Sequence, residues 1–185
     1  MNPTSRKPNL LFLMTDQMQG QVLQDGHPCR TPHLDRLARE GVRFANAYTP
    51  NPVCSPARAS LMTGLLPHNH GVRRVVHTEG PDQNRIHAEH LHWAQGLQAA
   101  GYRTGYFGKW HVDHADNPRP FGWDEADTQP FKNDSAPLEY RLAYRSHVPE
   151  GYRPLLCYGV TETPPEERYM GQVTRRALGF LETVG

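Results

Sequence analysis

Cys54 and Arg58, four positions apart, and the close pair Lys109 and His111 are the side chains best suited to chemistry on an anion. A thiol is a nucleophile, the two cations can hold negative charge, and an imidazole with an ordinary pKa near ~6.5 exchanges protons at neutral pH. Ser55 reads as a helix N-cap, Pro56 as the first helical position and Gly64 as the left-handed residue that ends a short helix. Cys54 would then lie at a helix N-terminus, where unpaired N–H groups and the positive end of the dipole suit an anion. Arg58 would fall in the first turn, where a cation opposes the dipole, and an anionic partner would account for it. Asp16-Gln17 supplies hard oxygen donors of the kind that bind Ca²⁺ or Mg²⁺, not the nitrogen and sulfur that select zinc. The neutral Gln17 favours the looser geometry of calcium. Taken one at a time these residues have plainer readings: an inert buried thiol, a turn cap after a strand, and a surface turn with a tryptophan anchor.

The order of the motifs narrows the choice. Cys54-Ser55-Pro56-Ala57-Arg58-Ala59-Ser60-Leu61-Met62-Thr63-Gly64 resembles, without a mismatch, the C-x-P-x-R-x-x-L-x-T-G signature of the type I sulfatases, formylglycine-dependent members of the alkaline phosphatase superfamily. Asp16-Gln17 resembles the metal-binding pair that ends the first strand of that family, and Gly108-Lys109-Trp110-His111 resembles its G-K-W-H element. The resemblance implies that a formylglycine-generating enzyme oxidises Cys54 to an aldehyde, whose hydrate offers one hydroxyl to attack sulfur and another to expel the product. It implies a Ca²⁺ (or Mg²⁺) ion held by Asp16, Gln17 and the oxygen derived from Cys54. Arg58 and Lys109 would stabilise the attacking oxygen and the sulfate, and His111 would take the proton that triggers release. The implied activity is hydrolysis of a small-molecule sulfate ester. Two alternatives stay open: a phosphonate monoester or phosphodiester hydrolase of the same superfamily, and a truncated, non-catalytic pseudoenzyme.

The elements that must position these groups read as α/β, with a mixed, mostly parallel sheet sandwiched by helices. Asn9 to Thr15 is a continuous apolar run of the kind found in strands buried on both faces, with Asp16 and Gln17 at its carboxyl end. Thr31-Pro32 starts a helix whose Leu34, Leu37 and Ala38 share a face and which Gly41 stops. Val42 to Tyr48 is the next strand, followed by the Cys54 helix. Glu89 to Ala100 forms a further helix with Leu91, Ala94 and Leu97 inward, and Tyr102 to Phe107 a short strand. Ligands in open α/β sheets bind just outside the carboxyl ends of the strands, where the polar motifs fall. From His111 to Pro165 the periodicity is lost, so residues 112–165 read as a long irregular excursion over the active face, with a short helix near Leu138 to Tyr144. Glu166 to Val184 returns to helix, with Met170, Val173, Ala177, Phe180 and Leu181 on one side.

Composition excludes some partners. Lys+Arg 20 against Asp+Glu 19, with no basic run, points away from nucleic acid and membrane surfaces. Leu10 to Met14 is too short for a signal sequence or a membrane span, so the expectation is a cytoplasmic protein of open oligomeric state. Cys29, Cys54 and Cys157 are too few and too widely spaced for a disulfide framework. His68 and His70 are expected to shape the pocket floor, His87, His90 and His92 to be solvated helix-face residues, and Asp116-Asn117 to form a turn. The visible oxygen donors fall short of the roughly six to eight that calcium takes. Residues 1–185 therefore read as the N-terminal part of a single larger catalytic domain, weakly stable and poorly active by itself.

Overall fold

The computed structural model of the 185-residue chain describes residues 7–78, 80, 84–87, 89–128 and 163–184, together with the backbone of two short strands at 143–144 and 156–158. It divides into two compact units, Met1–Tyr48 and Thr49–Gly185.

In the first unit, helix α1 spans Pro32–Glu40, with Thr31 before it, proline at its start and the Gly41 N–H bonded to the Leu37 carbonyl at 2.9 Å. The Thr31 hydroxyl donates to Asp35 Oδ1 at 2.8 Å, which joins the entry of the helix to its first turn. The two expected strands, Asn9 to Thr15 and Val42 to Tyr48, belong to no ladder among the described residues, and Leu10 to Met14 are all exposed. A strand is defined by its neighbour: apolar, β-prone residues give it a tendency, but its N–H and C=O groups form a ladder only against a partner.

The second unit is built around helix α2 at Cys54–Thr63, where six of the ten residues, Ser55, Pro56, Arg58, Ala59, Ser60 and Met62, are buried. Gly64 ends it in the left-handed conformation at φ 71, as the sequence requires. A short helix α3, Pro67–His70, follows, and α4 spans Trp93–Ala99. The core gathers Ala59, Met62, Val72, Val76, Ala94, Trp110, Val112 and Trp123, so small aliphatic side chains pack around two tryptophans. Tyr106 packs edge-on against both Trp110 and Trp123, with ring centroids 5.0 and 5.2 Å away.

Helix α4 starts later than expected. His92 is extended, and the Gln95 side chain accepts its N–H at 2.9 Å, half of a capping box that fixes the N-terminus there. Leu91 therefore lies outside the helix and is exposed, while Ala94 is buried as expected. Strand β1, Gly105–Phe107, pairs in parallel with β2, Glu125–Asp127, placing Phe107 opposite Asp127. Between them Gly122 at φ 93 lets the chain pass α4 so closely that a Cβ there would come within 2.4 Å of the Gln95 nitrogen.

The segment expected to be irregular from residue 112 thus begins with order: Val112 and Trp123 are core residues and β2 belongs to the sheet. Strands β3, Ala143–Tyr144, and β4, Leu156–Tyr158, form a separate antiparallel pair; the expected helix from Leu138 falls mostly outside the described residues. Helix α5, Tyr169–Val184, packs on β1 through Phe107 and Phe180, with centroids 5.6 Å apart. It buries Val173 but leaves Met170 and Leu181 exposed, so the inner stripe is narrower than the sequence suggests. The chain is α/β in character, and among the described residues no helix is long and apolar enough to cross a membrane.

Candidate active site

The start of α2 differs from the sequence expectation by two residues. Its N-cap is Val53, extended at φ -113, whose N–H is taken by Asn51 Oδ1 at 3.1 Å, so Cys54 is the first helical residue and Ser55 the second. Ser55 does not cap the helix. It is fully buried, and its hydroxyl accepts the N–H of Val76 at 3.2 Å, holding a later turn against the first turn of α2. Pro56, without an N–H, sits where no intrahelical acceptor exists. Cys54 is a half-buried free thiol at the N-terminal end of the helix.

Arg58 is correspondingly two residues deeper in the helix than expected, and the structure gives it a protein partner besides the anion that the sequence suggested. Its side chain is 6% exposed, and Nη1 donates to the Lys109 carbonyl at 2.5 Å and reaches the Tyr106 hydroxyl at 3.5 Å. The Tyr106 hydroxyl donates to the same carbonyl at 2.6 Å. Burial pushes the Tyr106 phenol up, opposed by the Arg58 charge, so the hydroxyl keeps the proton it donates. The motif that follows β1 is thereby fastened to the cysteine helix by a buried, charge-assisted contact.

That motif leaves the strand through Gly108 at φ 109, whose N–H bonds to the Asp127 carbonyl of β2 at 2.9 Å. Trp110 goes into the core, and Lys109 and His111 on either side of it are half-buried. His111 adopts φ 54, and its N–H donates to Asp116 Oδ1 at 3.1 Å. Burial lowers the proton affinity of His111 most, followed by the charges of Lys109 and His77; Asp116 works the other way. A neutral imidazole at neutral pH is what a general base requires. Arg58, Lys109 and His111, chosen from sequence, are thus close neighbours within the second unit, and Cys54 lies one helical turn before Arg58 on the same helix.

Residues 8–183 match the family described as Sulfatase. The chain belongs to the sulfatase family. It is 44% identical over 111 residues to an ulvan-active sulfatase of Formosa agariphila, covering 58% of this chain and 20% of that protein. It is 32% identical over 191 residues to an arylsulfatase of Hemicentrotus pulcherrimus, covering 95% of this chain and 34% of the relative. Over 46% of this chain and 19% of the other, it is 43% identical to the YidJ protein of Bacteroides fragilis, whose crystal structure superimposes with a TM-score of 0.43. The chain thus spans 20% and 34% of the length of these two curated relatives.

The remaining residues of the sulfatase motifs are placed as follows. Asp16 and Gln17 lie in the first unit, exposed, with Gln17 in the left-handed region at φ 59. A carboxylate beside an amide, both accessible, fits a hard divalent cation in donor type, although two side chains supply only part of the shell such an ion takes. The turn expected at Asp116-Asn117 lies two residues earlier, at 114–115; Asp116 follows it at φ 48, and Asn117 Oδ1 accepts the Arg119 N–H at 3.2 Å.

The histidines divide differently from the sequence reading. His68 is exposed, while His70 is fully buried. Val72 N–H donates to His70 Nδ1 at 3.1 Å, so the neutral ring carries its proton on Nε2 and donates it to Ser60 Oγ at 2.9 Å. Burial, then the neighbouring His90 and His87, lowers its proton affinity, which preserves that tautomer. His92 is no solvated helix-face residue: it is 1% exposed and stacks on Phe121 and Trp110, with centroids 4.3 and 5.9 Å away. Sequence reasoning missed His92 because histidine has no preferred depth, and it missed His77 and Asn84 because no local pattern marks either. Asn84 is a clamp, its Oδ1 accepting the N–H groups of Arg73 and Arg74 at 2.7 and 3.1 Å and its amide donating to the Arg74 carbonyl at 2.7 Å.

Proposed function

We propose that this sulfatase chain carries the nucleophile and the anion-binding face of a metal-dependent sulfuric ester hydrolase that releases inorganic sulfate from a small-molecule sulfate ester. The observation that supports it best is the direct bond from Arg58, on the Cys54 helix, to the main chain of Lys109, beside His111. Those motifs are 51 residues apart in sequence, and their contact is what a shared site requires.

In this reading Cys54 is oxidised to formylglycine by a formylglycine-generating enzyme, and water adds to give a geminal diol on the β-carbon of residue 54. One hydroxyl oxygen of that diol attacks sulfur; the S–O bond to the alcohol breaks and the alcohol leaves with a proton. Arg58 and Lys109 hold the negative charge that gathers on the sulfate oxygens, and because both are already fixed by the fold, no reorganisation is needed as that charge grows. His111 accepts the proton of the second hydroxyl, the carbonyl re-forms, the carbon–oxygen bond to sulfate breaks, and the aldehyde is regenerated. Asp16, Gln17 and the oxygen on residue 54 are the donors this chain would offer a divalent cation, calcium suiting them, and such an ion would supply positive charge against the anionic ester.

The test is peptide mass analysis of the Cys54 segment after co-expression of the full-length protein with a formylglycine-generating enzyme, followed by turnover of an aryl sulfate and an aryl phosphonate ester. Aldehyde at residue 54 with preferential sulfate release supports the proposal. Preference for the phosphonate assigns the sister activity of the superfamily, and an unmodified thiol under those conditions makes the protein a pseudoenzyme.

A further inference from the structure

We infer that His77, faced by the Asp116 carboxylate, is a positioning residue that fixes the ring of His111 and leaves it free to accept a proton. The inference rests on the base role proposed for His111. His77 lies in the turn Val76–Thr78, which no motif marks. That turn is held to the nucleophile helix: Val76 is fully buried, and its N–H donates to Ser55, the residue after Cys54, at 3.2 Å. Asn84 fixes the approach by clamping Arg73 and Arg74. His77 is therefore placed from two sides beside the first turn of α2.

From there its ring stacks on that of His111, with centroids 5.2 Å apart and planes at 30°, and meets His114 edge-on at 5.6 Å. His77 Nε2 is 3.7 Å from Asp116 Oδ2, and the other oxygen of the same carboxylate accepts the His111 main-chain N–H at 3.1 Å. One carboxylate thus pins the backbone of the base and faces the ring stacked upon it. Asp116 is itself held at φ 48, its carbonyl accepting the Thr128 hydroxyl at 2.6 Å.

Two imidazoles in stacking contact do not both take a proton cheaply. His111 Nδ1 is buried without a hydrogen-bond partner among the described residues, so nothing local compensates a proton there. The charged and titratable groups facing His111 are Lys109 and Asp116 of its own segment, His77 of the preceding turn and Arg58 of α2; three of the four oppose its protonation.

The experiment uses full-length protein with His77→Ala, His77→Gln and Asp116→Asn, reading the His111 ring titration by NMR and the pH profile of sulfate release. Loss of His77 is expected to move the His111 midpoint and the acid limb of kcat upward together, with kcat at neutral pH down about tenfold and KM within about twofold. His77→Gln keeps most of the volume but no charge and should shift the titration as His77→Ala does. Asp116→Asn should shift it downward, by removing the one group that favours protonation. An unmoved His111 midpoint in folded His77→Gln protein overturns the inference. Should the wild-type protein release no sulfate, the proposed activity fails, while the NMR titration still decides whether His77 controls His111.

Discussion

Helix α2 and the run Leu10 to Met14 make opposite use of their residues. The run is wholly apolar and fully exposed among the described contacts, whereas α2 is largely small and polar, yet six of its ten residues are buried. Burial follows from available partners, not from hydropathy alone. The polar groups in α2 reach partners far along the chain: Ser55 to Val76, Ser60 to His70, Arg58 to Lys109. The Leu10 run has side chains to bury and joins no ladder among the described residues. The same buried polar contacts that make α2 a structural keystone also place its chemistry, so fold and site are inseparable there and separable in residues 7–48.

That contrast is open to direct attack. The largest effect is expected at the nucleophile: Cys54→Ala should lower sulfate release by the full-length protein by more than about 10³-fold while changing its unfolding free energy by less than about 1 kcal/mol. Arg58→Ala should strike both properties, cutting kcat at least about a hundredfold and stability by about 3 kcal/mol, because it empties the buried space of the guanidinium, removes its charge-assisted bond to the Lys109 carbonyl and takes a charge from the site. Urea unfolding alongside kinetics checks the pair, and an Arg58→Ala protein of unchanged stability would break the claim that the contact serves both ends. Gly122→Ala should cost about 3 kcal/mol through the clash with Gln95 and the strained φ, seen as a lower urea midpoint.

His92 gives a smaller, pH-dependent effect. Burial lowers its pKa from 6.5 to about 4, so the unfolded chain binds the proton more tightly than the folded one. Its share of stability is intact above pH 6.5 and is lost as pH falls toward 4, about 3 kcal/mol when complete. His92→Phe keeps the stack on Phe121, removes two buried ring nitrogens that have no partner among the described residues, and should flatten the decline in stability between neutral pH and pH 5. His70 and His111, lowered for the same reason, should leave a residual slope of the same sign. The smallest effect belongs to the first region: Leu11→Glu with Leu13→Glu should change unfolding free energy by no more than about 0.5 kcal/mol while reducing self-association in light scattering. A large loss of stability there would show that the run is buried after all and erase the contrast.

Local sequence was enough for the family, for the Cys54 helix with its Gly64 terminus, for helix α1 between Pro32 and Gly41, and for singling out Cys54, Arg58, Lys109 and His111 as candidates. Those features are local: caps, proline and glycine positions, and motif letters act within a few residues of themselves. Tertiary contacts decided that Val53 and not Ser55 caps α2, that Arg58 is held by the Lys109 carbonyl, that His92 is core, and that His77 lies against His111. Each of these depends on which distant group offers an acceptor or a ring face, and a strand or a buried polar side chain is completed only by a partner that no local pattern specifies.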